Sequence, residues 1–318
     1  MNAETLIPRV DLAIRAIAGL VALAAMLYLA LALWVGWHEL ATSIAALGAL
    51  ALLGGVCVAS LNYLLRFGRW HHLLLRMSQR VPVADNLRIY VGGLALTATP
   101  GKLGETIRSA LLLRWRVPVG ASLAAFFIDR LTDLAGVLLL AALTSSVLLW
   151  WILAAAVISV GIALRWAFGT RHVDRLTTWL ERRHRFATLV SFLRGGITHY
   201  LAAWRLPAVA AYVLIAFVAY GIQGLVFASY VNALWSGFSY AEALRIFATS
   251  TLAGAASMLP GGLGAMELAL IAQLHSAGMP LVPATAAAVA VRAVTLWFAI
   301  LIGLFCLLWY RQSAVVAP

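Results

Sequence analysis

Charge is scarce in this chain, and lysine is almost missing. Asp, Glu, Lys and Arg make up 11% of the 318 residues, and 22 of the 23 basic residues are Arg, with Lys102 as the single Lys. A soluble domain carries about a quarter charged residues, so an ordinary water-facing fold is excluded. Cysteine is equally rare. Cys57 and Cys306 both fall inside apolar runs, which argues against a disulfide framework and against a cysteine metal centre. The seven His, at 38, 71, 72, 172, 184, 199 and 275, show no HExxH-type spacing, so neither a metal nor another cofactor is expected. What remains is apolar: AVILMFWYC reach 64% and the mean hydropathy is +0.97. At about 20 residues per crossing, helices take up nearly the whole chain and leave no room for a soluble catalytic domain. The reading is an all-α integral membrane protein. A net charge of +12 would suggest nucleic acid in a soluble protein; here topology accounts for it, and no nucleic acid is expected.

Apolar runs at 13–35, 44–65, 119–143, 146–167, 207–233 and 281–309 are each long enough to cross the hydrocarbon core, which predicts six spans. The first is read as a retained helix and not as a cleaved signal, because its core is long. Arg66, Arg69, Arg76, Arg80 and Arg88 follow the second run, eight Arg surround the loop after the fourth, and Arg311 follows the last, while the connections near Trp37, Ser145 and Ser236 hold no basic residue. The positive-inside rule then places both termini in the cytoplasm. The basic loop 168–206 spaces Leu176, Trp179, Leu180, Phe186, Val190 and Leu193 at roughly helical intervals between Arg positions. It reads either as an interfacial helix on anionic lipid or as a solvated loop helix.

Two further apolar segments are not read as spans. One runs from 86 into Pro100-Gly101-Lys102-Leu103-Gly104-Glu105, and the other, from 243, breaks at Pro260-Gly261-Gly262-Leu263-Gly264 before Glu267. Both are expected to be re-entrant helical hairpins, over 86–116 and 241–277, because irregular backbone at membrane depth is tolerated only where protein covers it or a watery cavity meets it. The plain alternative is a Pro-Gly kink in an ordinary helix. The hairpins belong to an internal repeat. Ala84–Tyr90 (ADNLRIY) resembles Ala241–Phe247 (AEALRIF) at an offset of 157, Pro100 recurs as Pro260 at 160, and Arg130 recurs as Arg292 at 162. Residues 1–143 and 144–318 are therefore read as two repeats of three spans and a hairpin. Since three is odd, the second is inverted, as in many secondary transporters.

Charge inside the membrane is sparse and symmetrically placed. Arg130 lies 12 residues after Pro118 and Arg292 lies 12 after Pro280, near the middle of spans three and six. An Arg there costs about 2.5–3.5 kcal/mol on insertion scales, so a functional role is the default reading. The alternative for Arg130 is simple pairing with Asp129 or Asp133. Arg292 has Val291 and Thr295 at the equivalent places, which leaves Glu267 of the hairpin as its available partner. Lys102 opens the returning half-helix of the first hairpin, whose free N–H groups suit an anion. Gly101, Gly104, Gly261, Gly262 and Gly264 allow backbone to approach a ligand closely. Lys102, Arg130 and Arg292 with these glycines form the expected substrate site, while Glu105, Asp129, Asp133 and Glu267 are candidate gating or proton-linked groups. A cationic centre in an apolar shell fits a phosphate-bearing lipid with its tails in the bilayer.

PGKLGE followed by FFIDRLTD, and LPGGLGAMELAL followed by AVAVRAVTLW, resemble the two halves of the flippase-like transmembrane region of lysylphosphatidylglycerol synthases. The resemblance covers nearly the whole chain. It implies movement of an anionic lipid or a polyprenyl-linked sugar between leaflets of a bacterial plasma membrane. Synthesis of an aminoacylated lipid is not implied, since no aminoacyl-transferase domain is present in these 318 residues. The expected partner is an anionic membrane lipid, and a homodimer stays open. Two other readings stand beside the translocase. A membrane enzyme acting on a lipid phosphate would need a placed base or nucleophile, and a small-anion carrier would need a cavity closed to the bilayer. Topology is testable without substrate: cysteines placed at Ser145 and Ser236 should label from outside and one placed at Arg183 from inside, and the reverse pattern would overturn the orientation.

Overall fold

The computed structural model describes residues 19, 22, 26, 28–30, 32, 33, 35–95, 103–169 and 187–316, excluding the side chains of 103–107, 187–192 and 310–316. Among the described residues the chain is helical throughout and has no strand. The helices are α1 (Trp37–Ala46), α2 (Gly48–Arg76), α3 (Val83–Leu94), α4 (Leu103–Leu112), α5 (Val119–Leu143), α6 (Leu148–Phe168), α7 (Ala187–Ala203), α8 (Leu206–Leu234), α9 (Tyr240–Ala256), α10 (Ala265–Ser276), α11 (Leu281–Arg292) and α12 (Phe298–Val316). Four described helical stretches are long and apolar enough to cross a membrane: Gly48–Arg76, Leu148–Phe168, Leu206–Leu234 and Leu281–Trp309. α5 has the length at 25 residues, but Asp129, Arg130 and Asp133 within it lower its apolar character. Most of the run at 13–35 lies outside the described residues, as does much of the basic loop.

Local chemistry sets the helix starts. Pro82, Pro118 and Pro280 stand in extended conformation immediately before α3, α5 and α11, where the fixed φ of proline suits the entry to a helix and its missing N–H costs nothing. The Ser239 side chain accepts a hydrogen bond from the Glu242 N–H at 3.1 Å and caps α9, satisfying one of the N–H groups that a first turn leaves open.

α5 is the centre of the packing. It lies against α6, α7, α8 and α9, and α2 runs along α8. A side chain at Gly136 of α5 would bring Cβ within 2.6 Å of Ala216 Cβ and 2.7 Å of the Phe217 nitrogen, so α5 and α8 touch nearly backbone to backbone, the small-residue contact typical of helices in lipid. Gly303 of α12 does the same against Val91 and Ala95, where an added Cβ would meet the Ala95 nitrogen at 2.3 Å. That contact seats α3 on α12. The outward face carries Leu50, Leu148, Trp166, Leu214, Leu301 and Phe305 exposed, a surface suited to acyl chains and not to water. Gly136→Val should overfill the α5–α8 contact and cost about 1–3 kcal/mol, read as a lower unfolding midpoint in detergent; an unchanged midpoint would contradict the packing.

Candidate functional site

α2 is continuous through Arg66 and Arg69 because Phe67, Trp70, Leu73 and Leu74 keep supplying buried apolar positions and no proline intervenes before Met77. The sequence reading ended this span at 65 and treated both Arg as cytoplasmic topology charges. In the structure they turn into the protein. Arg69, with its side chain 0% exposed, donates through Nε to Asp129 Oδ1 at 2.8 Å and through a terminal nitrogen to Asp133 Oδ1 at 2.6 Å. Its other terminal nitrogen reaches the Tyr212 carbonyl of α8 at 3.4 Å. Arg66 pairs with Asp133 and lies over the Tyr220 ring.

Arg130 contacts Asp129 at 2.7 Å and Asp133 at 3.2 Å, and its side chain keeps 29% of its surface open. Among the described residues it thus pairs with both acids of its own helix, the pairing alternative raised by the sequence. Among the described residues, three guanidinium groups meet two carboxylates here. Asp129 and Asp133 are one turn apart on α5, as Arg66 and Arg69 are on α2, so two helix faces meet with complementary charge. That matching i, i+4 and i, i+3 spacing was the available signal for the missed residues.

The second cluster forms at the break between α9 and α10. Gly261, Gly262 and Gly264 all adopt positive φ, at 59°, 66° and 81°, a region open to glycine without a Cβ clash. Gly262 packs so that an added Cβ would stand 3.1 Å from Gly254 Cα. Arg292, at the end of α11 and 6% exposed, donates through Nε to Glu267 Oε1 at 2.7 Å and through a terminal nitrogen to the Gly261 carbonyl at 2.7 Å. Tyr28 donates its hydroxyl to the same Glu267 oxygen at 2.7 Å. Glu267 Oε2 is buried and has no hydrogen-bond partner among the described residues. Glu267 sits in the first turn of α10, where the helix dipole favours a negative charge.

Pro100, Gly101 and Lys102 lie outside the described residues, as does the Glu105 side chain; Gly104 belongs to α4. α4 does deliver Arg108, which sequence reasoning passed over. Its guanidinium lies 4.3 Å from the Tyr90 ring centroid and 5.4 Å from that of Trp70, and it donates to the Tyr90 carbonyl at 3.3 Å. Gly93 makes room for it, since a Cβ there would meet Arg108 Nε at 2.2 Å. A cation on two aromatic faces in a dry setting contributes about 2 kcal/mol or more, and here it ties α4 to α3 and α2. Among the described residues no group of His, Cys, Asp and Glu is arranged to hold a metal ion.

Removing one member of a buried ion pair leaves the other charge stranded, at a cost of about 3–5 kcal/mol. Arg69→Met should therefore destabilise the protein by about that amount in an unfolding titration, and Arg130→Gln, with its side chain partly open, by distinctly less. Equal losses would contradict the burial assignment.

A profile of the lysylphosphatidylglycerol synthase transmembrane region matches residues 16–303. A search of curated proteins found no match.

Proposed function

The chain belongs to the lysylphosphatidylglycerol synthase transmembrane family, and from that premise we propose that it moves an anionic, phosphate-containing lipid or lipid-linked sugar between leaflets. The observation that carries this reading is the grip of Arg292 on both Glu267 and the Gly261 carbonyl. A buried cation inside a long apolar helix is bound to the broken backbone of a neighbouring hairpin. Irregular backbone and intramembrane charge are each costly in lipid and, in membrane proteins, mark substrate paths. Glu267 occupies the face of the guanidinium that a phosphate would take. Binding of an anionic headgroup then requires Glu267 to move aside or to accept a proton, and this links the headgroup to the hairpin.

The architecture proposed with it has six spans and two re-entrant hairpins, in inverted repeats over 1–143 and 144–318. Reciprocal packing supports it: α3 of the first hairpin lies on α12, the last helix of the second half, and α9 of the second hairpin lies on α5, the last helix of the first half. Two inverted halves that share one central site would pack in this way. The substrate site comprises Lys102, Arg130 and Arg292 with Gly101, Gly104, Gly261, Gly262 and Gly264; Glu105, Asp129, Asp133 and Glu267 adjust its charge. The apolar exterior lets acyl or prenyl tails stay in the bilayer while the headgroup crosses. Location in a bacterial inner membrane with both termini cytoplasmic completes the reading. The chain carries no ATP-binding motif, so the movement follows a gradient.

The purified protein in liposomes should move fluorescent phosphatidylglycerol or a polyprenyl phosphate between leaflets without nucleotide, and Arg292→Gln should abolish the movement while the fold persists. Movement that requires ATP, or undiminished movement in Arg292→Gln, would sink the reading. Transport of a soluble anion alone, or turnover of the lipid phosphate, would instead establish the carrier or the enzyme.

A further inference from the structure

α11 is regular up to Arg292, and the next turn is wider. Ala293–Trp297 form a single π-turn, closed by a backbone N–H that reaches back to the Ala293 carbonyl. α5 carries Arg130 at the equivalent distance from its proline and is α-helical throughout Val119–Leu143. A π-turn inserts one residue into a helix and weakens the local hydrogen bonding, and such turns occur frequently at functional sites. Two hydroxyls bear on it, and the first belongs to the turn: Thr295 donates its own to the Val291 carbonyl at 2.6 Å, a back-bond that loosens a helix. Tyr63 of α2 donates its hydroxyl to the Thr295 carbonyl at the middle of the turn. Its ring stacks on Phe298, the residue after the turn, with centroids 6.2 Å apart and planes at 26°.

The turn also stands between the two sides of the Arg292 site. Arg292 precedes it directly. Trp297 at its far end meets Tyr28 edge-on at 5.8 Å, and Tyr28 holds Glu267. Each residue of a helix advances the side-chain direction by about 100°, so loss of the inserted residue would rotate Arg292 relative to Trp297 by that amount. Arg292 could not then keep Glu267 and Gly261 while Trp297 kept Tyr28.

We propose that Tyr63 is a positioning residue: by holding the π-turn through the Thr295 carbonyl it fixes the direction in which Arg292 points at Glu267 and Gly261. The inference rests on reading Arg292 as the anion-binding group.

The test is Tyr63→Phe in the full chain, which removes the hydroxyl and keeps the ring on Phe298. Hydrogen exchange of the backbone at 293–299 and retention of phosphatidylglycerol in native mass spectrometry are measured beside the unfolding midpoint. Exchange should rise and lipid affinity fall, each by about fivefold, the effect of one hydrogen bond, with the midpoint lowered by no more than that one bond accounts for. Because Tyr63 acts through Arg292, Tyr63→Phe combined with Arg292→Gln should bind lipid no more weakly than Arg292→Gln alone. Unchanged exchange, or losses that add in the combined variant, would overturn the proposal. Faster exchange in Tyr63→Phe, with no phosphatidylglycerol retained by the unsubstituted protein, would support the hold on the turn and defeat the anion reading of Arg292.

Discussion

A guanidinium taken out of water has to bring its counter-charge with it, and the ion pairs of Arg69 set the terms for the surrounding helices. With its side chain shut off from solvent, Arg69 is bound to α5 through Asp129 and Asp133 and to α8 through the Tyr212 carbonyl. Three helices are thereby fixed in rotation about one group, since a turn of any of them by one residue would strand a charge in a medium that cannot solvate it. The close approach of α5 and α8 at Gly136 is compatible with only that rotation. The polar contact selects the register, and the small residue lets dispersion contacts fill it.

Arg130 and Arg292 occupy matching places in the two halves of the sequence, yet they meet this constraint differently. Arg130 draws its counter-charge from Asp129 and Asp133 of its own helix, so those pairs travel with the helix wherever it moves. Arg292 draws its own from Glu267 and from the Gly261 carbonyl of a separate, broken segment. Displacement of that segment breaks an ion pair in a dry environment, and this is costly unless another anion or a proton replaces what is lost. Sequence equivalence is therefore not energetic equivalence. The first cluster joins α2 to two acids that both stand on α5, and the second joins two separate segments through one ion pair.

Much of the helical layout was legible because its signals are local. The run read at 119–143 matches α5, and the run at 207–233 is one residue short at each end of α8, since a proline at the start and a long, predominantly apolar stretch mark both. The Arg292–Glu267 contact was also open to inference, as no acid stands near Arg292 on its own helix. Arg66 and Arg69 were not found, because the positive-inside rule counts basic residues by their place in the chain and takes no account of partners. Arg108 was hidden for a related reason: it lies on the faces of Tyr90 and Trp70, and contacts with aromatic rings distant in the chain leave no charge pattern to read. The π-turn had no signal at all. AVTLW reads as ordinary helix, and the hydroxyl that reaches its middle carbonyl comes from Tyr63, more than 200 residues earlier in the chain.

The packing gives that turn a wider setting. α12 begins where the turn ends, and α3 is seated on α12 through Gly303, with Arg88 of α3 lying 4.7 Å from the ring centroid of Trp309. α3 thus bears on the helix that begins at the turn directly after Arg292. In the other half, α9 bears on α5, which carries the Arg69 and Arg130 cluster. Coupling between distant groups needs an element with two discrete arrangements that both ends can bias. A tightly packed core rarely offers one, because it is not continuously deformable. A π-turn does, since one residue of helix can be wound as α or as π, and here it lies between a charge that must stay paired and a helix on which α3 rests.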